Sequence, residues 1–212
     1  MQSCTKSTMA STMASTMAVT DKTESELFSR LTEGSPSNSA YQKFYVVNFM
    51  DVPGNDYCIM QHSNKVCLIY LAETHSIVKQ NKDVVKVQFS IKCNPEDYKV
   101  SGKGKKGAER LNIGSSLCRI STSDDIDYDV VSCVRGYLIE VNENLIANPN
   151  LIKTKHNSDG YLVIIQPKFK DLSCMAKTVM ELEQYQQLQE GHNTISTTDT
   201  KDNDSDTEIQ HT

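Results

Sequence analysis

The chain has 212 residues and a formal net charge of −5 at pH 7, which fits one domain or one domain with tails. The acidic balance argues against nucleic acid as a direct partner, because neutralising phosphates requires a basic face. No apolar run reaches the ~18 residues of a membrane helix. The seven cysteines are odd in number and lie mostly in apolar runs, which favours buried free thiols over disulfides. We therefore expect a soluble intracellular protein.

Residues 1–40 are predicted to form a disordered, low-complexity tail. The tetrapeptide STMA occurs three times in succession, at 7–10, 11–14 and 15–18. Polar, small-residue sequence of this kind cannot bury enough apolar surface to fold. The folded domain is expected to span residues 41–190.

Most of that domain is predicted to be β-structure. Short runs of alternating or β-branched residues recur along it, separated by turn signals such as Asp51-Val52-Pro53-Gly54. Strands of this length and spacing indicate a small sandwich or barrel. The predicted strands are KFYVVNF (43–49), YCIMQH (57–62), KVCLIYL (65–71), VVKVQFSIK (84–92), SLCRIST (116–122), IDYDVVS (126–132), YLIEV (137–141) and GYLVIIQ (160–166).

Helices are predicted at two places. Residues 142–152 contain a short helical turn that must break near Pro149, because proline does not continue a helix. From Ser173 to Glu190, apolar residues recur every three or four positions, which predicts one amphipathic helix that ends at Gly191. Residues 191–212 contain five acidic residues and one lysine, and we expect them to form a disordered acidic tail.

Four potential zinc ligands lie within 18 residues of one another. Their spacing lacks the close Cys–Cys or His–His pairs that are typical of structural zinc sites. Core packing of alternating strand residues explains them better, so no metal site is predicted. The four residues are Cys58, His62, Cys67 and His75.

The run Asp125, Asp127 and Asp129 resembles the start of a calcium-binding loop. Val130 stands where that loop needs glycine for its sharp turn, and Gly136 stands where it needs a bidentate glutamate. Strand alternation instead places the aspartates on a solvated face of a strand.

A local reversal of charge occurs at residues 99–110. The segment GKGKKGAER (102–110) lacks the Ser or Thr that follows the lysine of a phosphate-binding loop. Two interpretations stay open: a solvated loop, or a docking site for an acidic protein surface. The positive side chains, opposed there by Glu109, are Lys99, Lys103, Lys105, Lys106 and Arg110.

No cysteine or serine lies in a recognisable nucleophile motif. The sequence therefore predicts no catalytic residue, and the protein is not expected to be an enzyme.

Four blocks of sequence, taken in order, resemble the Abitram family, also called Simiate, whose name abbreviates actin-binding transcription modulator. The resemblance covers about residues 41–190 and leaves out both tails. The family is related to the H-protein of the glycine cleavage system. The blocks are CIMQHSNKVCLIYLAETH (58–75), VSGKGKKGAERL (100–111), SCVRGYLIEVNENL (132–145) and DGYLVIIQPKF (159–169).

The resemblance implies a mainly β fold: a flattened barrel-sandwich hybrid of the biotinyl/lipoyl, H-protein-like type, with a C-terminal amphipathic helix. In the H-protein, a hairpin carries at its tip the lysine to which lipoic acid is attached. Here the tip falls at Ser123-Asp124-Asp125, and no lysine occurs between Lys106 and Lys153. Because the amide link requires a primary amine, we expect neither a lipoyl attachment site nor a cofactor.

The resemblance also implies a function. Abitram proteins bind actin monomers and filaments, influence filament growth in cell protrusions and dendrites, and are associated with nuclear speckles and transcription. We accordingly expect actin as the partner, cytoplasm and nucleus as the location, and the basic residues of segment 99–110 as the contact. The alternative is an unlipoylated scaffold that binds lipoylation or glycine-cleavage enzymes. A metal-dependent or cysteine enzyme is the least favoured interpretation.

Overall fold

Two antiparallel sheets pack face to face. The computed structural model describes residues 25–32, 40–90 and 108–195. Its strands are β1 (Tyr41–Val46), β2 (Tyr57–His62), β3 (Cys67–Leu71), β4 (Val84–Phe89), β5 (Arg110–Leu111), β6 (Ser116–Thr122), β7 (Asp127–Val131), β8 (Gly136–Val141), β9 (Val163–Gln166) and β10 (Met180–Glu181). One sheet has the order β10-β1-β2-β3-β9-β8-β5 and the other the order β4-β6-β7.

This architecture confirms the prediction of a mainly β domain. β2 and β6 begin and end at the predicted residues. β5 and β10 were not predicted, since two residues are too few to show any alternation. Over the described residues the strands form a sandwich of two sheets and not one closed barrel.

Strand alternation directs one face of each sheet into a shared core. On β2, Tyr57 is buried in this core, whereas the next residue, Cys58, faces a smaller apolar cluster on the opposite side of the sheet. Ile120 and Val130 extend the core from the three-stranded sheet. The Tyr57 hydroxyl accepts a hydrogen bond from the Val131 N–H at 3.3 Å, which links the two sheets.

Six helices lie around the sheets in the described part of the chain. α3 and α4 stand on either side of Pro149, so the predicted break there is confirmed. A separate 3-10 turn covers Phe49–Asp51. The helices are α1 (25–32), α2 (Ser76–Lys79), α3 (Asn144–Ala147), α4 (Leu151–Thr154), α5 (Phe169–Ala176) and α6 (Leu182–Ile195).

The C-terminal helical region differs from the single helix predicted for Ser173–Glu190. It consists of α5 and α6, and the chain between them forms β10, which pairs with β1. Ser173 lies inside α5 and does not cap it, while residue 191 continues α6. The spacing of apolar residues predicted one continuous helix because it includes Val179. Val179 is buried, but it lies in the extended segment that leads into β10. α6 packs on the outer face of the seven-stranded sheet, where Tyr185 stacks on Tyr45 with ring centroids 3.9 Å apart.

Residues 25–32, which the sequence assigned to the N-terminal tail, form α1. Leu27 and Leu31 are buried in the main core. Phe28 meets Phe169 of α5 edge to face, with ring centroids 5.8 Å apart. An isolated eight-residue helix is marginal in water, so these contacts stabilise α1. The rest of the predicted tail at 1–40, except residue 40, and the acidic tail beyond residue 195 lie outside the described residues.

A helix that spans a membrane must be both long and apolar. None of the described helices is long enough and apolar enough to cross a bilayer.

Candidate functional site: the β6–β7 hairpin and the basic edge

The β6–β7 hairpin is the element at whose tip the resemblance to the H-protein leads us to look for a lysine. Its two strands pair in the register Ile120↔Tyr128 and Ser121↔Asp127. The Thr122 N–H donates to the carbonyl of Ile126 at 3.0 Å, and this bond closes the turn. The tip therefore consists of residues 123–126, which confirms its predicted position.

The backbone of the tip includes one left-handed residue. Asp125 has φ 58°, a conformation that aspartate tolerates better than most residues. The Asp125 N–H donates to the Thr122 carbonyl at 3.1 Å. The exposed side chains of the turn include the carboxylates of Asp124 and Asp125.

Lys82, far from the tip in sequence, lies beside it in space. Its Nζ donates to an Asp124 oxygen at 2.6 Å and lies 5.4 Å from the centre of the Tyr128 ring. The hydrogen bond that Lys82 donates to Asp124, assisted by Tyr128, raises the pKa of Lys82. The same bond lowers the pKa of Asp124. The ammonium is held charged and in place, which is the opposite of a free, protruding amine.

Further hydrogen bonds fasten the tip to the body of the domain. The Ser123 N–H donates to the Asp83 carbonyl at 2.9 Å. The Asp83 carboxylate accepts from Lys153 Nζ at 2.5 Å, and the Val84 N–H donates to Asn150 Oδ1 at 2.9 Å. The tip, the start of β4 and the loop beside α4 thus form one connected unit.

The aspartates of β7 are already engaged by β6. Asp129 accepts from Arg119 Nε at 2.7 Å, and Asp127 accepts from Ser121 Oγ at 2.6 Å. Val130, at the position where a calcium loop needs glycine, is a buried residue of the strand. This geometry is that of a solvated strand face.

The candidate zinc ligands do not converge either. Cys58 and Cys67 lie on opposite faces of the seven-stranded sheet, in different apolar clusters. Burial lowers the pKa of His75 to about 4, and the nearby Asp56 opposes that shift only in part. His75 Nδ1 accepts the Ile77 N–H at 3.2 Å, which caps α2. Across the described ranges, no three His, Cys, Asp or Glu residues stand where they could share a metal ion.

The buried thiols share one electrostatic property. A nucleophilic cysteine needs a lowered pKa, yet burial raises the pKa of Cys58 to about 11 and that of Cys67 to about 12. Burial also raises the pKa of Cys118 to about 12 and that of Cys133 further still. These four thiols are packing groups in the folded state.

The basic segment meets the fold at β5, the edge strand of the seven-stranded sheet. Lys99, Lys103, Lys105 and Lys106 lie outside the described residues, so Arg110 alone of the predicted contact residues has a described position. Its Nη2 contacts both carboxylate oxygens of Asp171 in α5, at 3.1 and 3.2 Å.

The Arg110–Asp171 pair ties the β5 edge to α5. The Asp171 side chain is 2% exposed and also accepts the Lys168 N–H at 3.2 Å. Sequence reasoning missed Asp171, because its partner is 61 residues away and nothing local marks it. The charge of Arg110 is thus partly used within the fold.

Known proteins resemble this chain over the same region. A family model described as Glycine cleavage H-protein matches residues 68–192. Protein Abitram of Xenopus tropicalis is 37% identical over 150 residues, which cover 70% of this chain and 82% of that protein. Protein Abitram of Homo sapiens is 39% identical over 143 residues, covering 65% and 79% respectively. The chain belongs to the Abitram family.

Among solved structures, a glycine cleavage system H protein from Mycobacterium marinum is 15% identical, with a TM-score of 0.48, and the match covers 70% of this chain and 97% of that one. The Abitram relatives and the H-protein family model agree with the mainly β, H-protein-like fold predicted from the sequence. In this Abitram chain, the tip of the β6–β7 hairpin carries Asp124 and Asp125.

Proposed function

We propose that this chain is a non-enzymatic actin-binding protein that contacts actin monomers and filaments and regulates actin polymerisation. It acts in the cytoplasm, in actin-rich protrusions such as dendrites, and in the nucleus, including nuclear speckles, where it modulates transcription. Membership of the Abitram family supports this proposal, because the sequence resemblance to that family implies actin as the partner.

The structural observation that carries the proposal is the hairpin tip. Asp124 is held by Lys82 at 2.6 Å, and the tip is bonded to the body through Ser123. A swinging-arm carrier needs a protruding primary amine at this place. An H-protein-like domain without that amine keeps a rigid β scaffold, and a scaffold of this kind suits a binding role.

The contact surface that we assign to actin is the basic segment that leads into β5. Lys99, Lys103, Lys105 and Lys106 oppose the acidic character of the remaining chain, so they can attract an acidic partner surface over several ångströms. Exposed charges of this kind are screened beyond a Debye length of about 8 Å at physiological salt. The expected signature is therefore binding that weakens as salt rises.

Co-sedimentation of the full chain with actin filaments, over a series of salt concentrations, tests this assignment. The charge-reversed variant K103E/K105E/K106E should lose most of its binding at low salt and most of its salt dependence. The matched control is K79E/K155E/K177E, which reverses three lysines that are exposed elsewhere on the domain. If both variants bind as the unaltered chain does, the basic segment is not the contact.

One observation favours a second candidate. Because the H-protein family model matches residues 68–192, the chain could be an unlipoylated scaffold for lipoylation or glycine-cleavage enzymes. Mitochondrial fractionation and the intact mass of the chain isolated from its own cells separate the two candidates. A matrix location with an unmodified mass supports the unlipoylated scaffold, and an unmodified chain in the cytoplasm and nucleus supports actin binding. A lipoyl mass increment would contradict both candidates.

A further inference from the structure

Exposed apolar side chains meet where the loop between β1 and β2 touches the turn between β5 and β6. Met50 is 60% exposed and Val52 is 51% exposed in the loop, and Ile113 is 37% exposed in the turn. A Cβ on Gly114 would stand 3.7 Å from the Met50 sulfur, so the Met50 side chain lies against the turn that carries Ile113. We call Met50, Val52 and Ile113 the apolar turn surface.

The backbone of the loop holds Met50 in a conformation that methionine rarely adopts. Asn48, Met50 and Asp51 have φ values of 48°, 58° and 60°, all in the left-handed region. Asparagine and aspartate tolerate this region better than other residues, whereas methionine has no polar group to stabilise it there. Strained residues persist only where the surrounding structure fixes them, and they cluster at functional sites. A single exposed apolar residue is ordinary, but an exposed methionine on strained backbone indicates a contact.

Hydrogen bonds fix both segments that form the apolar turn surface. The Asn48 N–H donates to the buried carboxylate of Asp56 at 2.7 Å, and Asn48 Oδ1 accepts the Gly54 N–H at 2.9 Å. In the facing turn, the Gly114 N–H donates to the Ser132 carbonyl at 2.8 Å. A surface that is fixed in advance loses little conformational freedom when a partner binds it.

The position of the apolar turn surface in the chain indicates which partner covers it. The basic segment leads into β5, and β5 leads directly into the turn that carries Ile113. Ile113 follows Lys106 by seven positions, and seven residues span at most about 25 Å. An ordinary interface of about 800 Å² on each partner is about 30 Å across. A partner that contacts the basic segment therefore reaches the apolar turn surface within one interface.

We propose that the apolar turn surface is the hydrophobic part of the actin contact, next to the basic segment. This inference rests on the proposed function and adds a second component to its contact surface. Asp51 is exposed in the same loop and would repel an acidic group, so the area of actin that fits here is apolar. Exposed charges mainly raise the rate of association, whereas a few buried apolar residues supply much of the affinity.

The two components of the contact respond differently to salt. Salt screens the attraction between the lysines and an acidic surface, but it has no such effect on the burial of apolar surface. The unaltered chain should therefore retain part of its binding at high salt. That remainder should depend on Met50 and Ile113 and not on the lysines.

Co-sedimentation of the full chain with actin filaments, at low and at high salt, tests the proposal with the variant M50G/I113S. Glycine adopts left-handed backbone without strain, so the variant should fold, and thermal unfolding checks that it does. We expect binding about tenfold weaker than that of the unaltered chain at both salt concentrations, since residues at the centre of an interface carry energies of this order. The conservative variant M50L/I113V should recover most of the lost binding.

A matched control changes exposed apolar residues elsewhere on the domain. V85S/I146S replaces two side chains that are 63% and 61% exposed, on β4 and α3, and should alter the affinity less than twofold. If this control weakens binding as much as M50G/I113S does, or if M50L/I113V recovers none of it, apolar contact at this surface does not bind actin.

The remaining outcomes separate this proposal from the proposed function. If the unaltered chain sediments with filaments and M50G/I113S binds equally well, the apolar turn surface is not part of the contact, although actin binding stands. If the unaltered chain sediments at no salt concentration, both proposals fail. Light scattering of the chain alone detects a different occupant: a dimer that M50G/I113S dissociates would assign the surface to a second copy and overturn the proposal.

Discussion

Replacing Asp171 by asparagine should destabilise the domain although the two side chains have nearly the same shape. The carboxylate is 2% exposed, contacts Arg110 at 3.1 and 3.2 Å and accepts the Lys168 N–H at 3.2 Å. Asparagine keeps one acceptor oxygen but loses the charge, and it presents an amide N–H where the guanidinium expects an acceptor. Arg110 is then left half-buried without its counter-charge.

The size of the effect follows from the burial of the two partners. A hydrogen bond to a charged group contributes about 1.5–3 kcal/mol. The Arg110 side chain is 33% exposed, so solvent screening reduces its share. We expect a loss of about 2 kcal/mol in the free energy of unfolding. For a domain of this size, that corresponds to a decrease in Tm of about 4–8 °C.

The chain contains a matched control on its surface. Asp129 also pairs with an arginine, Arg119, at 2.7 Å, but their side chains are 65% and 53% exposed. Solvent screens an exposed ion pair, so D129N should lower Tm by clearly less than D171N does. Thermal unfolding followed by circular dichroism compares the two variants. Equal shifts for D171N and D129N would refute the claim that α5 holds the β5 edge through a buried ion pair.

Three further predictions concern burial. Folding lowers the pKa of His75 from 6.5 to about 4, so on acidification the unfolded state binds the proton first. The free energy of unfolding should therefore fall by about 3 kcal/mol between pH 6.5 and pH 4. Urea titrations measure this dependence on pH, and an H75N variant with the same dependence would show that His75 does not cause it. In the native chain a thiol reagent should label Cys174 and at most Cys4 and Cys93 in addition. Fast labelling of the four buried thiols would contradict their burial. L31A should destabilise the domain by about 2 kcal/mol and expose α1 to protease, whereas E26A should change stability by less than about 0.5 kcal/mol; equal effects would mean that α1 does not pack on the core.

The sequence predicted the β6–β7 hairpin well because its information is local. From Cys118 onward, alternating residues mark β6 and β7, and the cluster Ser123-Asp124-Asp125 marks the turn between them. The sequence therefore predicted the position of the hairpin and of its tip correctly. The break at Pro149 was equally local, since proline excludes a continuous helix wherever the chain goes.

The parts that were missed depend on contacts between distant residues. Lys82 reaches Asp124 from 42 positions away, so the absence of lysine from the hairpin sequence did not mean that no ammonium lies at the tip. α1 is helical because Leu27 and Leu31 are buried in the main core. An isolated segment of eight residues would form little helix by itself. Val179 fitted a helical period, yet pairing of the following residues with β1 made that stretch extended.

We propose that this Abitram chain uses an H-protein-like scaffold to bind actin. Co-sedimentation of the full chain with actin filaments across a series of salt concentrations measures that binding. We expect saturable binding that weakens steadily as salt rises, because attraction between charges is screened by salt. A chain that stays in the supernatant at every salt concentration, including the lowest, would contradict it.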